Sequence, residues 1–146
     1  MPDAITLRVY GLPGAQGSKR AVGRGVMVES SKRVRPWRLA VITATVETHA
    51  GSLIEGAVSV SIVFLFARPR GHIGARGLKA SAPQHLTSRG AGDIDKLCRS
   101  TLDGLSADAG GCLLRDDSQV VSLTAQKRYC LPDEPPGAVI TVIPLP

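Results

Sequence analysis

The chain has 146 residues, with 18 Lys+Arg against 12 Asp+Glu, a formal net charge of +6 and a pI near 9.7. That length suits one domain around one core, and 43% hydrophobic with 21% charged residues excludes wholesale disorder. The longest apolar stretch, residues 58–67, falls well short of the roughly 20 residues a helix needs to cross a bilayer.

Residues 4–10 alternate as a strand and stop at the turn Gly11-Leu12-Pro13-Gly14. Residues 14–25, Gly-rich and basic, read as a flexible loop, and residues 26–29 as a short strand. Pro36 suits the first position of a helix, where its missing N–H costs nothing. That helix continues from Trp37 to about Ala50 with Leu39, Ile42, Val46 and Ala50 as its apolar stripe, and Gly51 stops it. Residues 58–67, β-branched and aromatic, form the best strand. Residues 68–92 make a long loop of Gly, Arg, Ser and Pro, a length usually reserved for function.

Residues 93–106 are the clearest helix. Asp93 is its N-cap, and Ile94, Leu97, Cys98, Thr101, Leu102 and Leu105 share one face. A loop, a short apolar piece at 112–114, a strand at 119–129, a turn at 132–137 and a last strand at 138–143 complete the chain. This order predicts a single domain over residues 1–146 of α/β (α+β) class, one mixed β-sheet with two helices packed on one face.

Charge is unevenly spread. Residues 1–89 hold 13 basic and 4 acidic residues, and residues 90–146 hold 5 and 8. One basic concentration runs Lys19, Arg20, Arg24, Lys32, Arg33, Arg35 and Arg38. A second, Arg68, Arg70, Arg76, Lys79 and Arg89, contains no acid and carries His72 and His85. Such density along Gly-rich segments suits a phosphate backbone, because each neutralised phosphate releases counterions. Charge-solubilised loops are the plainer alternative. Aromatic residues make up 3% of the chain, so stacked bases are not the main device of recognition. Cys98, Cys112 and Cys130 fit neither a disulfide framework nor a zinc site. With no export signal at the N-terminus, free thiols in a reducing cytoplasm and no membrane partner are the expectation.

The acidic half carries the chemistry. Asp93-Ile94-Asp95 puts two carboxylates in the first turn of the second helix, and Asp116-Asp117 precedes the next strand. If that strand starts beside the helix start, three carboxylates meet, and they repel unless a cation sits among them. Oxygen-only ligation suits Mg²⁺, or Mn²⁺, and a metal there polarises a phosphoryl oxygen and activates water. Each piece also has a structural reading. Asp93 and Asp95 can serve as cap and helix-dipole partner, Asp95, Arg99 and Asp103 as a surface ion-pair ladder, and Asp116-Asp117 as a turn. The rival function is a non-catalytic branched-DNA-binding protein with structural carboxylates. His72 and His85 read as loop histidines and the cysteines as inert. Neither a Gly-x-Ser-x-Gly elbow nor a Walker loop is present.

Gly92-Asp93-Ile94-Asp95-Lys96-Leu97, Ser100-Thr101-Leu102-Asp103-Gly104-Leu105 and Asp116-Asp117-Ser118-Gln119-Val120-Val121 followed by Lys127 resemble one family. These are the motifs of the RusA-type Holliday-junction resolvases, Mg²⁺-dependent endonucleases common in bacteria, prophages and phages. The resemblance implies a mixed α/β fold, an intertwined homodimer and two active sites that nick symmetric strands of a four-way junction. By motif position it makes Asp93, Asp95 and Asp117 the catalytic, metal-binding carboxylates and puts Lys127 near the substrate phosphate. DNA contacts are expected from Lys19, Arg20, Arg24, Arg68, Arg70, His72, Arg76, Lys79, Lys96 and Lys127. Two departures stand out. Gly92 replaces a Pro common in the family, and Arg99 replaces its active-site Lys. Arg keeps the charge but cannot readily give up a proton.

Overall fold

The computed structural model describes residues 3–17, 19–21, 27–29, 32–49 and 51–146. In chain order they form β1 (Ile5–Tyr10), β2 (Lys19–Ala21), β3 (Met27–Glu29), α1 (Val34–Thr48), β4 (Val58–Phe66), β5 (Ile73–Gly74), β6 (Gly77–Leu78), α2 (Ile94–Leu105), β7 (Val120–Tyr129) and β8 (Gly137–Pro144).

The β-branched run of β4 makes it an inner strand of a four-stranded mixed sheet, ordered β1-β8-β4-β7. β4 runs parallel to β7 and antiparallel to β8, with Ile62 opposite both Ala125 and Ile140. Alternation then sorts the faces. Val58, Val60, Ile62, Phe64 and Phe66 are buried with Leu7, Val9, Ala138, Ile140 and Val142, and the core residues of α1 and α2 join them. The opposite face carries residues such as Ser61 and Thr124, whose hydroxyls are 2.8 Å apart. A register shift between Val58 and Ser59 leaves Val121 of β7 without a cross-strand partner and 64% exposed. The mixed sheet with two helices on one face is the expected architecture.

α1 differs from the sequence expectation in its buried face. It starts at Val34, so Pro36 is its third residue, still within the turn whose N–H groups lack helical partners. Val34, Trp37, Val41, Ala44 and Thr45 face the core, whereas Leu39 and Val46 of the expected stripe are mostly exposed. Apolar residues occur all round this helix, so periodicity alone does not choose a side. Trp37 does, because it buries the largest surface and its indole N–H finds Thr101 Oγ1 at 3.0 Å. Ala50 lies outside the described residues.

α2 behaves as its pattern predicts over Leu97, Cys98, Thr101 and Leu105, all buried, while Ile94 is 37% exposed. It crosses α1 at Gly104, where a Cβ would stand 2.8 Å from Val41 Cβ. Two stretches expected as loops carry structure. Residues 19–21 pair antiparallel with 27–29, the latter within the short strand expected at 26–29. Residues 68–92 contain the small β5–β6 hairpin and two 3-10 turns. The turn from β7 to β8 is pinned by Glu134, which accepts from Arg128 at 2.7 and 3.1 Å and from the Leu131 N–H at 2.9 Å.

Gly104→Ala gains about 1 kcal/mol of helix propensity but forces Val41 aside, an overpacking cost of roughly 1–3 kcal/mol. The expected net loss is about 1 kcal/mol, read by denaturant unfolding. The bonds from Arg128 and Leu131 lower the Glu134 pKa to about 2. A depressed carboxylate pKa stabilises the fold above its unfolded value, near 4.5, and that contribution disappears as pH falls to about 2. Glu134→Gln is therefore expected to cost about 1 kcal/mol at pH 7, after discounting for solvent screening. The gap to wild type should close between those two pH values in parallel melts.

Candidate active site and nucleic-acid face

Asp93 occupies the N-cap of α2 with extended backbone, but its side chain makes no capping bond. Asp95 lies in the first turn, where the helix dipole favours negative charge. Its Oδ2 accepts from Lys96 Nζ at 3.0 Å, and that bond holds the Asp95 carboxyl below the usual carboxylate range. Both aspartates are exposed to solvent.

The turn is held from two sides. Lys127, near the end of β7, donates from Nζ to the Gly92 carbonyl at 2.9 Å, which brings an ammonium beside the Asp93 turn. On the other side, Gly14–Gln16 lies along α2. Gln16 N–H donates to Lys96 O at 3.0 Å, and Ser100 Oγ donates to Gly14 O. Gly92 itself has φ +91°, and a Cβ there would stand 2.6 Å from Ala15 Cβ. The position demands glycine, which accounts for its place just before the first aspartate.

Asp117 lies elsewhere. α2 runs antiparallel to β7, so the end of β7 at Lys127 meets the start of α2, and the segment before β7 meets its end. Leu114 N–H donates to Leu105 O, and a bridge pairs Ser106 with Leu114. Asp117 opens a short 3-10 turn that Asp116 caps, with the Ser118 N–H on Asp116 Oδ2 and the Asp116 N–H donating in turn to Gln119 Oε1 at 3.0 Å. The Ser118 bond lowers the Asp116 pKa. Desolvation raises that of Asp117, and neighbouring Asp116, Asp103 and Asp108 raise it further.

Asp95 and Asp103 stand two turns apart, about 12 Å along the helix. Among the described residues, no group of three His, Cys, Asp or Glu is placed to hold a metal. Within one chain, then, Asp93 and Asp95 are together and Asp117 is not with them. The three carboxylates meet only if the Asp117 strand begins beside the helix start, and the antiparallel run of α2 over β7 puts it at the other end. Two adjacent carboxylates still suit a Mg²⁺ that keeps waters and takes phosphate oxygens.

Arg99 is exposed one turn beyond Asp95 and shares its side of α2 with Asp95 and Asp103. The expected DNA contacts divide. Arg70 and Lys79 are exposed on the 68–92 segment, as is Arg76 at the tip of the β5–β6 hairpin. Lys19 and Arg20 fall in β2, and Arg24 lies outside the described residues. Lys96 is paired with Asp95. Arg68 and His72 form an internal cluster with Tyr129, in which the Arg68 guanidinium lies 4.3 Å over the Tyr129 ring and the His72 ring meets it edge-on. Sequence reasoning missed this cluster, the Gly14–Gln16 strap and the carboxylates around Asp117. Each joins residues far apart in the chain, and no local pattern signals it.

A sequence model of the family described as Endodeoxyribonuclease RusA matches residues 11–143. A comparison with curated proteins finds no match.

Gly92→Ala combines a left-handed backbone strain with a steric conflict at Ala15, a cost of about 2 kcal/mol. Thermal unfolding should show Tm lowered by roughly 6 °C. Hydrogen exchange at residues 93–97 should rise more than at β4.

Proposed function

Because the chain belongs to the RusA family of endodeoxyribonucleases, whose members are Holliday-junction resolvases, we propose that it is a Mg²⁺-dependent enzyme. On this reading it resolves four-way DNA junctions by paired symmetric nicks during recombination and repair. It acts as a homodimer in a bacterial or phage-infected cytoplasm. The observation that carries the reading is the Asp93–Asp95 turn, fixed between Lys127 and the Gly14–Gln16 strap at the root of the first basic segment.

In this mechanism Asp93 and Asp95 hold the metal, with Mn²⁺ as a substitute. When bound, it supplies charge neutralisation at the scissile phosphate and a more acidic water. Lys127 stabilises negative charge developing on the phosphate, from an ammonium already positioned by the Gly92 carbonyl. Arg99 acts by charge and bidentate grip, because a guanidinium does not give up its proton at neutral pH. Lys96, bonded to Asp95 Oδ2 at 3.0 Å, lowers the Asp95 pKa and orients that carboxylate. Arg70, Arg76 and Lys79 hold the backbone of the junction arms.

The separation of Asp117 from Asp93 and Asp95 supports a dimer in which a second copy supplies it. β7 is an edge strand, with Val121 and Leu123 exposed at 64% and 42%. Asp116 and Asp117 precede it, and Lys127 lies near its end. Two β7 strands paired antiparallel about a two-fold axis set Asp117 of one copy against Lys127 of the other, opposite charges facing. Each composite site then holds all three carboxylates.

A labelled four-way junction and a linear duplex, each with Mg²⁺ or chelator, test the reading. Wild type should nick the junction in symmetric pairs only with Mg²⁺. Asp95→Asn should bind the junction yet lose about 3 kcal/mol of transition-state stabilisation, a rate loss of roughly 100-fold or more. Salt-sensitive binding without cleavage under any divalent metal would leave a junction-binding protein instead. Mixing Asp95→Asn with Asp117→Asn chains should restore one intact site per heterodimer. Calorimetry should then show metal binding that both homodimers lack, and nicking of one strand should return.

A further inference from the structure

Hydrolysis leaves unused a cavity of about 520 Å³ between the β5–β6 hairpin and the turn that follows β7. Ile73, Leu78 and Leu131 line it, and they are 54%, 57% and 65% exposed. Ile73 and Leu78 are direct cross-strand partners on the hairpin. Three large aliphatic side chains around one opening mark a surface that something covers.

The surroundings specify what covers it. Residues 68–92 carry Arg68, Arg70, Arg76, Lys79 and Arg89 and no acid, so the segment attracts a polyanion. The cavity wall sets Arg68 against Asp133 and Glu134, with Glu134 paired to Arg128, so it offers a phosphate no net positive charge. The part of a nucleic acid that suits an apolar, acid-backed cavity inside a basic segment is therefore an uncharged base.

The wall is also built to stack. Arg68 lines the cavity with its guanidinium 4.3 Å over the Tyr129 ring, fixed by a 2.8 Å bond to Pro83 O and a 3.3 Å contact with His72 Nδ1. A planar guanidinium and an aromatic ring are the groups on which splayed bases rest. Glu134 is already engaged by Arg128, whereas Asp133, held at φ 67°, makes no hydrogen bond among the described residues. Its carboxylate is an acceptor for an exocyclic amine on a base edge. The volume falls within the roughly 300–1,000 Å³ of small-ligand sites.

We infer that this cavity receives one unstacked nucleobase of a branched DNA, with Ile73 and Leu78 as the wedge that keeps the base out of its stack. The inference rests on the junction-binding reading above. Unstacking costs least where pairing is already broken, and a branch point supplies such bases. An apolar wedge between base steps is a known way to hold DNA distorted.

The test uses four-way junctions carrying 2-aminopurine at each position flanking the branch point, titrated with protein in chelator so that no strand is cut. Wild type should raise the fluorescence several-fold at one or two of those positions and nowhere in the arms. Ile73→Ser with Leu78→Ser should return the signal to near the free-junction level and weaken junction binding about tenfold. Leu131→Ser, on the opposite wall, should shift both in the same direction. Circular dichroism melts confirm that each variant is folded.

Wild-type binding without brightening at any position overturns the base pocket and leaves the resolvase reading intact. Variants that brighten the probe as wild type does overturn it equally. A variant whose mass by light scattering drops to half assigns the rim to contact between copies, and also overturns it. Wild type that binds no junction at all removes the resolvase reading, and this inference with it.

Discussion

The seam between α1 and α2 sets the position of everything that acts. At Gly104 the helices approach so closely that a methyl group would collide with Val41, and a few residues earlier the Trp37 indole donates to Thr101 across the same seam. Together these contacts fix how α2 lies over the sheet and which of its faces is buried. The buried face is Leu97, Cys98, Thr101 and Leu105. Asp95, Arg99 and Asp103 are thereby left on the accessible side, and the start of α2 is delivered to the end of β7. A wider seam would let α2 tilt, and the Gly92 carbonyl would lose Lys127.

The first turn of α2 shows how the fold positions charge without burying it. Two aspartates stand in the positive end of a helix, in contact with solvent, with one lysine paired to Asp95 and a second lysine held by a backbone carbonyl. The rigidity comes from outside the carboxylates, from Gly92, Ala15 and the bonds that Gln16 and Ser100 make to the neighbouring segments. The acids themselves keep their oxygens available. Asp117 is arranged otherwise. Asp116 caps its own turn, and Asp117 is left beside three like charges with a raised pKa. A cation or a cationic side chain brought there relieves that repulsion.

The 68–92 segment has little regular structure and carries five basic residues with no acid. Its order comes from a few cross-links. Arg68 binds Pro83 and stacks on Tyr129, His72 meets the same ring, and Arg33 donates to Gly90 O. Two residues that look like phosphate contacts in the sequence, Arg68 and His72, help make that scaffold, and Arg68 also lines the cavity beside the β5–β6 hairpin. Arg70, Arg76 and Lys79 remain exposed on it.

The sequence by itself determined the order of the main elements, the strand that became β4, most of the buried face of α2 and the motif residues around Asp93, Asp95 and Asp117. It could do so because period-2 alternation, a clean 3.6-residue stripe and closely spaced carboxylates are local signals, readable within a few turns or strand residues. Where a segment was apolar on several sides, as in α1, local pattern chose Leu39 and Val46, and the packing of Trp37 against Thr101 chose otherwise. Only the tertiary structure decided that α2 runs antiparallel to β7, which parts Asp117 from the other two carboxylates. It alone decided that Arg68, His72 and Tyr129 form one cluster and that a cavity opens beside the β5–β6 hairpin. Those relations join residues tens of positions apart, and their energies depend on which surfaces meet, a quantity no window of sequence contains.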